Sequence, residues 1–100
     1  MNIEKNDSTV TVIVTEDITS VTVPEIRDQI LKTMDAEVIQ IHMDLNQVEM
    51  VDSTGISLLI SIQNSLKKNS GELSLLNTSG DIVHMFKLMR LDKFFKVIPR

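Results

Sequence analysis

Two periodicities divide the chain. Ser8-Thr9-Val10-Thr11-Val12-Ile13-Val14-Thr15 sets Val and Ile against Thr at every second position and is dense in β-branched residues, which predicts a strand with one face inward. Asn2 to Lys5 can pair with it around a turn at Asn6-Asp7. The period then lengthens to that of a helix, with Val23, Ile26, Ile30, Leu31 and Met34 on one stripe and Glu25, Arg27, Asp28 and Lys32 outside it. Thr22-Val23-Pro24-Glu25 supplies the start, Thr and Glu standing three apart as a capping box with Pro in the first turn, and the end is expected near Asp35-Ala36.

Residues Val38 to Leu45 are more continuously apolar and suit a central strand, with Val48 and Met50 carrying apolar character on to Val51. Beyond Gly55, helical spacing returns in Leu58, Leu59, Ile62 and Leu66, with Ser57, Ser61 and Ser65 aligned on another face. Lys67-Lys68-Asn69-Ser70-Gly71 closes that helix. Glu72 to Asn77 reads as a short strand, and Ser79-Gly80-Asp81 opens a helix whose apolar face is Ile82, Met85, Phe86 and Met89. Phe94 to Ile98 makes a last short strand. Strands alternating with helices imply an α/β fold with right-handed crossovers and a parallel or mixed sheet, and so few helices can pack on one face.

With 100 residues, this pattern fills a single domain, residues 1–100, able to bury about two-thirds of its unfolded surface. The apolar and charged fractions, 42% and 24%, are those of an ordinary globular chain. Without cysteine there is no disulfide framework, thiolate metal site or thiol nucleophile, so the cytoplasm is the expected compartment. No apolar run approaches the twenty or so residues of a membrane span. A net charge of -4 argues against direct nucleic-acid binding. That charge is uneven: residues 1–66 hold 3 basic and 11 acidic side chains, residues 67–100 hold 7 and 3. The basic C-terminal third is read as a solvated face, with a docking patch as the alternative.

Candidate chemistry converges on Val51-Asp52-Ser53-Thr54-Gly55-Ile56, between the central strand and the long helix. An aspartic-protease reading fails because Ser53 and Thr54 both separate Asp52 from Gly55. A serine hydrolase would need a Gly-x-Ser-x-Gly elbow and a histidine, whereas His42 falls mid-strand and His84 mid-helix. A phosphate-cradling glycine loop is missing, and Asp17, Asp44 and Asp52 read as isolated caps rather than a metal cluster. No cofactor is called for. Ser53 itself is open to two readings: an N-cap accepting from a first-turn amide, or a hydroxyl available for modification.

The segment from Val38 to Ile98 resembles the STAS domain, most closely the single-domain anti-sigma factor antagonists. The likeness rests on the apolar strand, the Asp52-Ser53-Thr54-Gly55 signature, the aliphatic helix after it, Gly71-Glu72-Leu73, and a helix with Phe86 and Leu91 before the closing strand. It implies a STAS-like mixed sheet of four to five strands with helices mainly on one face. It further implies a non-enzymatic, phosphorylation-controlled partner switch. Ser53 takes the phospho-acceptor position, flanked by Asp52, Thr54 and Gly55, and the partners are a serine kinase of anti-sigma type and a serine phosphatase. Asp17, Thr19, Ser20 and Val21, with Ile56, Ser57 and Leu58, fall where such a partner would bind. Two departures mark this chain. Glu16-Asp17-Ile18-Thr19 stands where relatives carry Gly-Glu-Leu-Asp, and Ile56-Ser57 stands where many carry Leu-Gly. The alternative is a constitutive STAS scaffold, such as the small subunit of a lipid-transport ABC complex, with Ser53 only a helix cap.

Overall fold

The computed structural model describes residues 1–100. In chain order it contains β1 (Asn2–Asn6), β2 (Thr9–Ile13), α1 (Val23–Leu31), β3 (Gln40–Asp44), α2 (Ser53–Lys67), β4 (Glu72–Thr78), α3 (Gly80–Leu88), a 3-10 turn (Leu91–Lys93) and β5 (Lys96–Pro99). The strands form one mixed sheet in the order β1-β2-β3-β4-β5, β1 antiparallel to β2 and the rest parallel. The expected α/β class and strand number are therefore found.

Alternation in β2 decides which face carries the core. Val10 lies opposite Ile41, which lies opposite Leu73; Val12, Met43 and Leu75 repeat the register two residues on, and all six are buried. The helices cover this face, bringing Ile26 and Ile30 of α1, Leu59, Ile62 and Leu66 of α2, and Ile82 and Phe86 of α3 into one contiguous core. Cutting a fully buried residue such as Leu59 back to Ala would cost about 2–5 kcal/mol. The opposite face, with Thr11, Gln40 and Glu72, stays open.

Local expectations needed correction at element ends. Thr22 stands at the N-cap of α1 as expected, but its side chain makes no cap bond. It has helical dihedrals, its hydroxyl donates to the Asp17 carbonyl at 2.6 Å and accepts from the Thr19 amide at 3.0 Å, and Glu25 bonds Gln29 instead of closing a capping box. α1 also stops at Leu31, which is exposed. There the Thr33 hydroxyl takes the Ile30 carbonyl, the Asp35 carboxylate accepts from the Glu37 amide, and Lys5 pairs with Asp35, turning the chain away. Met89 leaves the expected apolar face of α3 because the backbone reverses at Arg90, which is left-handed at φ 59°. The last strand begins at Lys96, since Phe95 turns inward against Phe86.

Candidate functional site

The three central parallel strands end on one edge of the sheet, and the loops leaving β2 and β3 meet there. Ile18 and Val51 form an isolated parallel bridge. The Ile18 amide donates to the Met50 carbonyl and the Asp52 amide to the Ile18 carbonyl, both at 3.1 Å. Two carboxylates lock the loops together in opposite directions. Asp17 Oδ1 accepts from the amides of Glu49 at 2.8 Å and Met50 at 3.2 Å. Asp52 Oδ2 accepts from the Ser20 amide at 2.9 Å, while its Oδ1 accepts from the Gly55 amide at 2.8 Å. On the far side, the Arg100 guanidinium donates to the carbonyls of Asn46 and Val48 at 2.6 and 3.2 Å and pairs with Glu49.

Asp52, not Ser53, is therefore the N-cap of α2. Asp52 has extended dihedrals and Ser53 is the first helical residue. The Ser53 hydroxyl is exposed and makes no hydrogen bond within the chain. Gly55 is required one turn in: a Cβ there would lie 2.4 Å from the Ile18 carbonyl oxygen, so only glycine lets α2 sit this close to the β2 loop. The amides of Gly55 and then Ser20 hold the Asp52 carboxyl below the usual carboxylate range, keeping it ionised beside Ser53 at neutral pH.

The candidate residues fall into three groups. Asp17, Thr19 and Ser20 organise the loop: Asp17 through the bonds above, Thr19 by accepting from the Val21 amide at 3.3 Å, and Ser20 through its own amide. Val21 is 85% exposed, and Thr54 and Ser57 are exposed on α2. Ile56 is half-buried. Leu58 is only 5% exposed, so it supports the surface from beneath instead of forming it.

Sequence reasoning passed over two contributors. Met50, 53% exposed, stands beside Asp52 and with Val21 gives the site two apolar side chains. Arg100 is missed because its partners lie about fifty residues away in the chain. The histidines stay elsewhere, His42 bonding Gln40 on the open sheet face. Asp44 serves its own turn, accepting from the Asn46 amide and from Asn77.

A family model, the STAS domain, matches residues 1–100. The chain is a STAS domain. The anti-sigma-B factor antagonist of Listeria monocytogenes is 23% identical to it over 94 residues, covering 94% of this chain and 82% of that protein. SpoIIAA of Bacillus, an anti-sigma factor antagonist, has the same fold in unphosphorylated and phosphorylated forms. Its TM-scores are 0.73 and 0.75 at 22% and 21% identity, covering 87% and 96% of this chain and 81% and 88% of those chains. A part of the murine anion transporter Slc26a9 also matches, with TM-score 0.78 and 15% identity, covering 96% of the STAS domain but 17% of the transporter. No helix of the STAS domain is long and apolar enough to cross a membrane.

Proposed function

We propose that this STAS domain is a phosphorylation-controlled partner switch. Unphosphorylated, it binds a serine kinase of anti-sigma type through the surface around Ser53. A phosphate on Ser53 breaks that complex, and a serine phosphatase restores it. The observation that carries the reading is the free Ser53 hydroxyl at the first residue of α2, with the capping role already filled by Asp52. The Listeria monocytogenes relative is named for antagonising an anti-sigma-B factor, which suggests the class of partner.

The energetics suit a switch. A phosphate brings about -1.5 to -2 charges to the positive end of the α2 dipole, a place the folded domain tolerates. The surrounding surface is already acidic, with Glu16, Asp17, Glu49 and Asp52 around the two loops. Burying an added unpaired dianion under a partner costs several kcal/mol, and each ~1.4 kcal/mol is tenfold in affinity. Folding survives while binding does not. In this scheme the domain is a kinase substrate, and the nucleotide chemistry belongs to the partner.

Intact-mass analysis after incubation with ATP and a serine kinase encoded beside this chain is expected to show one phosphate, absent from Ser53→Ala. Ser53→Asp is expected to weaken kinase binding at least roughly tenfold with an unchanged thermal midpoint. A phosphate that persists in Ser53→Ala, or equal affinity of Ser53→Asp, overturns the reading. Tight binding to an ATPase subunit, indifferent to Ser53→Asp, would favour the constitutive scaffold.

A further inference from the structure

The end of the molecule opposite Ser53 has its own chemistry, and nothing in the switch uses it. β2 to β5 run parallel, so α2 and α3 run back and place their C-termini at the far end, together with the 3-10 turn and the start of β5. Lys67, Lys68, Lys87, Arg90, Lys93 and Lys96 gather there on the β4–β5 side with Glu72 and Asp92, while Asp7, Asp35 and Glu37 sit at the same end on the β1–β2 turn and the α1–β3 connection. Lys67 lies 5.7 Å from the centre of the Phe94 ring, and Gln63 donates to the Phe94 carbonyl, which fixes the end of α2 against the 3-10 turn. The two ion pairs of the structure, Lys5–Asp35 and Arg100–Glu49, involve none of these six cations.

Cations at helix C-termini complement the helix dipole, which accounts for Lys67 and Lys87. It does not account for Leu88 and Met89. These are 73% and 48% exposed where the chain reverses at Arg90, and cations flank them in sequence on both sides. None of the five concavities on the surface is lined by any residue of this patch. The patch is thus an exposed apolar pair, outside every concavity, at the basic end of the molecule.

We propose that this patch docks on an anionic phospholipid surface, Leu88 and Met89 entering the bilayer interface and the surrounding cations facing the headgroups. A flat, fluid, negatively charged surface matches an exposed apolar pair among long basic side chains without needing a groove or acids at fixed positions. Nucleic acid would match the charges but leave the aliphatic pair unused. Docked this way, the domain holds its switch site away from the membrane by the length of α2, about 22 Å for its 15 residues. Ser53 stays open to a partner. The inference is independent of the switch itself.

Co-sedimentation of the intact chain with phosphatidylglycerol and with phosphatidylcholine vesicles tests it. Binding is expected to the anionic vesicles only. The double variant Lys87→Glu/Arg90→Glu should lose roughly tenfold or more in partitioning. Leu88→Ser/Met89→Ser should lose the part that resists salt, whereas Ser53→Asp should bind vesicles like the parent. Circular dichroism and the thermal midpoint establish that each variant is folded. Equal binding to both vesicle types, none to either, or full binding by folded Leu88→Ser/Met89→Ser overturns the proposal. So does a duplex DNA or an acidic protein that binds the patch more tightly than the anionic vesicles do.

Discussion

The N-termini of α2 and α3 begin alike and end differently. Each follows a strand and carries a serine and a glycine in its opening residues. At α3, Ser79 is the cap: it is buried, its dihedrals are extended, and its hydroxyl accepts from the Ile82 amide at 3.3 Å. At α2, Asp52 caps one residue earlier and Ser53 is pushed out as the first helical residue, exposed and unbonded. The glycines differ as well. Gly55 is buried against the Ile18 carbonyl, while Gly80 has nothing within 4 Å of where a Cβ would be. A serine at a helix start is consumed by the backbone unless a neighbour takes its task, and Asp52 is what leaves Ser53 free.

The glycines give the largest contrast. Gly55→Ala forces a methyl into backbone 2.4 Å away, on the same carbonyl that accepts from the Asp52 amide. Overpacking of this kind costs about 1–3 kcal/mol. In a domain of this size each kcal/mol lowers the thermal midpoint by roughly 4–8 °C. Gly80→Ala meets no such obstacle and has no positive φ to lose, so it should stabilise by about 0.4–1 kcal/mol. Thermal and urea unfolding of the two variants should move in opposite directions. A stable Gly55→Ala would mean that the helix can slide away from the Ile18 loop.

Capping residues come next. Asp52→Ala removes an acceptor from both the Gly55 and Ser20 amides, so it should cost more stability than the loss of the α3 cap. Ser79→Ala removes one longer bond and should cost about 1 kcal/mol. The two should also separate in function. Losing Asp52 frees the Thr19–Val21 loop from α2 and should slow phosphate incorporation at Ser53, while losing Ser79 should leave incorporation unchanged. If both slow it equally, general destabilisation and not loop position governs the acceptor.

Much of this frame was legible in the sequence, because it rests on local period. The Val-Thr alternation of β2 and the aliphatic spacing of α2 specify which faces turn inward before any partner is known. The division of labour between Asp52 and Ser53 was not legible, since both residue types cap helices and only the dihedrals show which one stands outside the first turn. Met50 was hidden by its alternation with Val48, which suggested a continuing strand; in the structure the chain there is a loop held by Asp17. The basic C-terminal third looked like a solvated face because its residues are spread over several elements. The parallel topology gathers most of them at one end.

The smallest effect expected is the pH dependence of the Asp52 cap. The Gly55 and Ser20 amides favour the ionised carboxyl in the folded chain, so its folded pKa lies below its unfolded value, about 3.9 for an unperturbed aspartate. On acidification, the unfolded chain takes up the proton first. The stabilisation is therefore fully present above that unfolded value and is lost as pH falls from there through the folded one. Asp35, lowered first by its hydrogen bond from Lys5, acts in the same direction. Comparing acid unfolding of the parent and Asp52→Asn isolates the cap: the amide keeps an acceptor oxygen but cannot titrate, so the variant should lose stability less steeply below about pH 4. A parallel comparison with Ser79→Ala sharpens the contrast, because the neutral cap of α3 has no such titration. Its variant should keep the parent's slope, with the whole curve displaced.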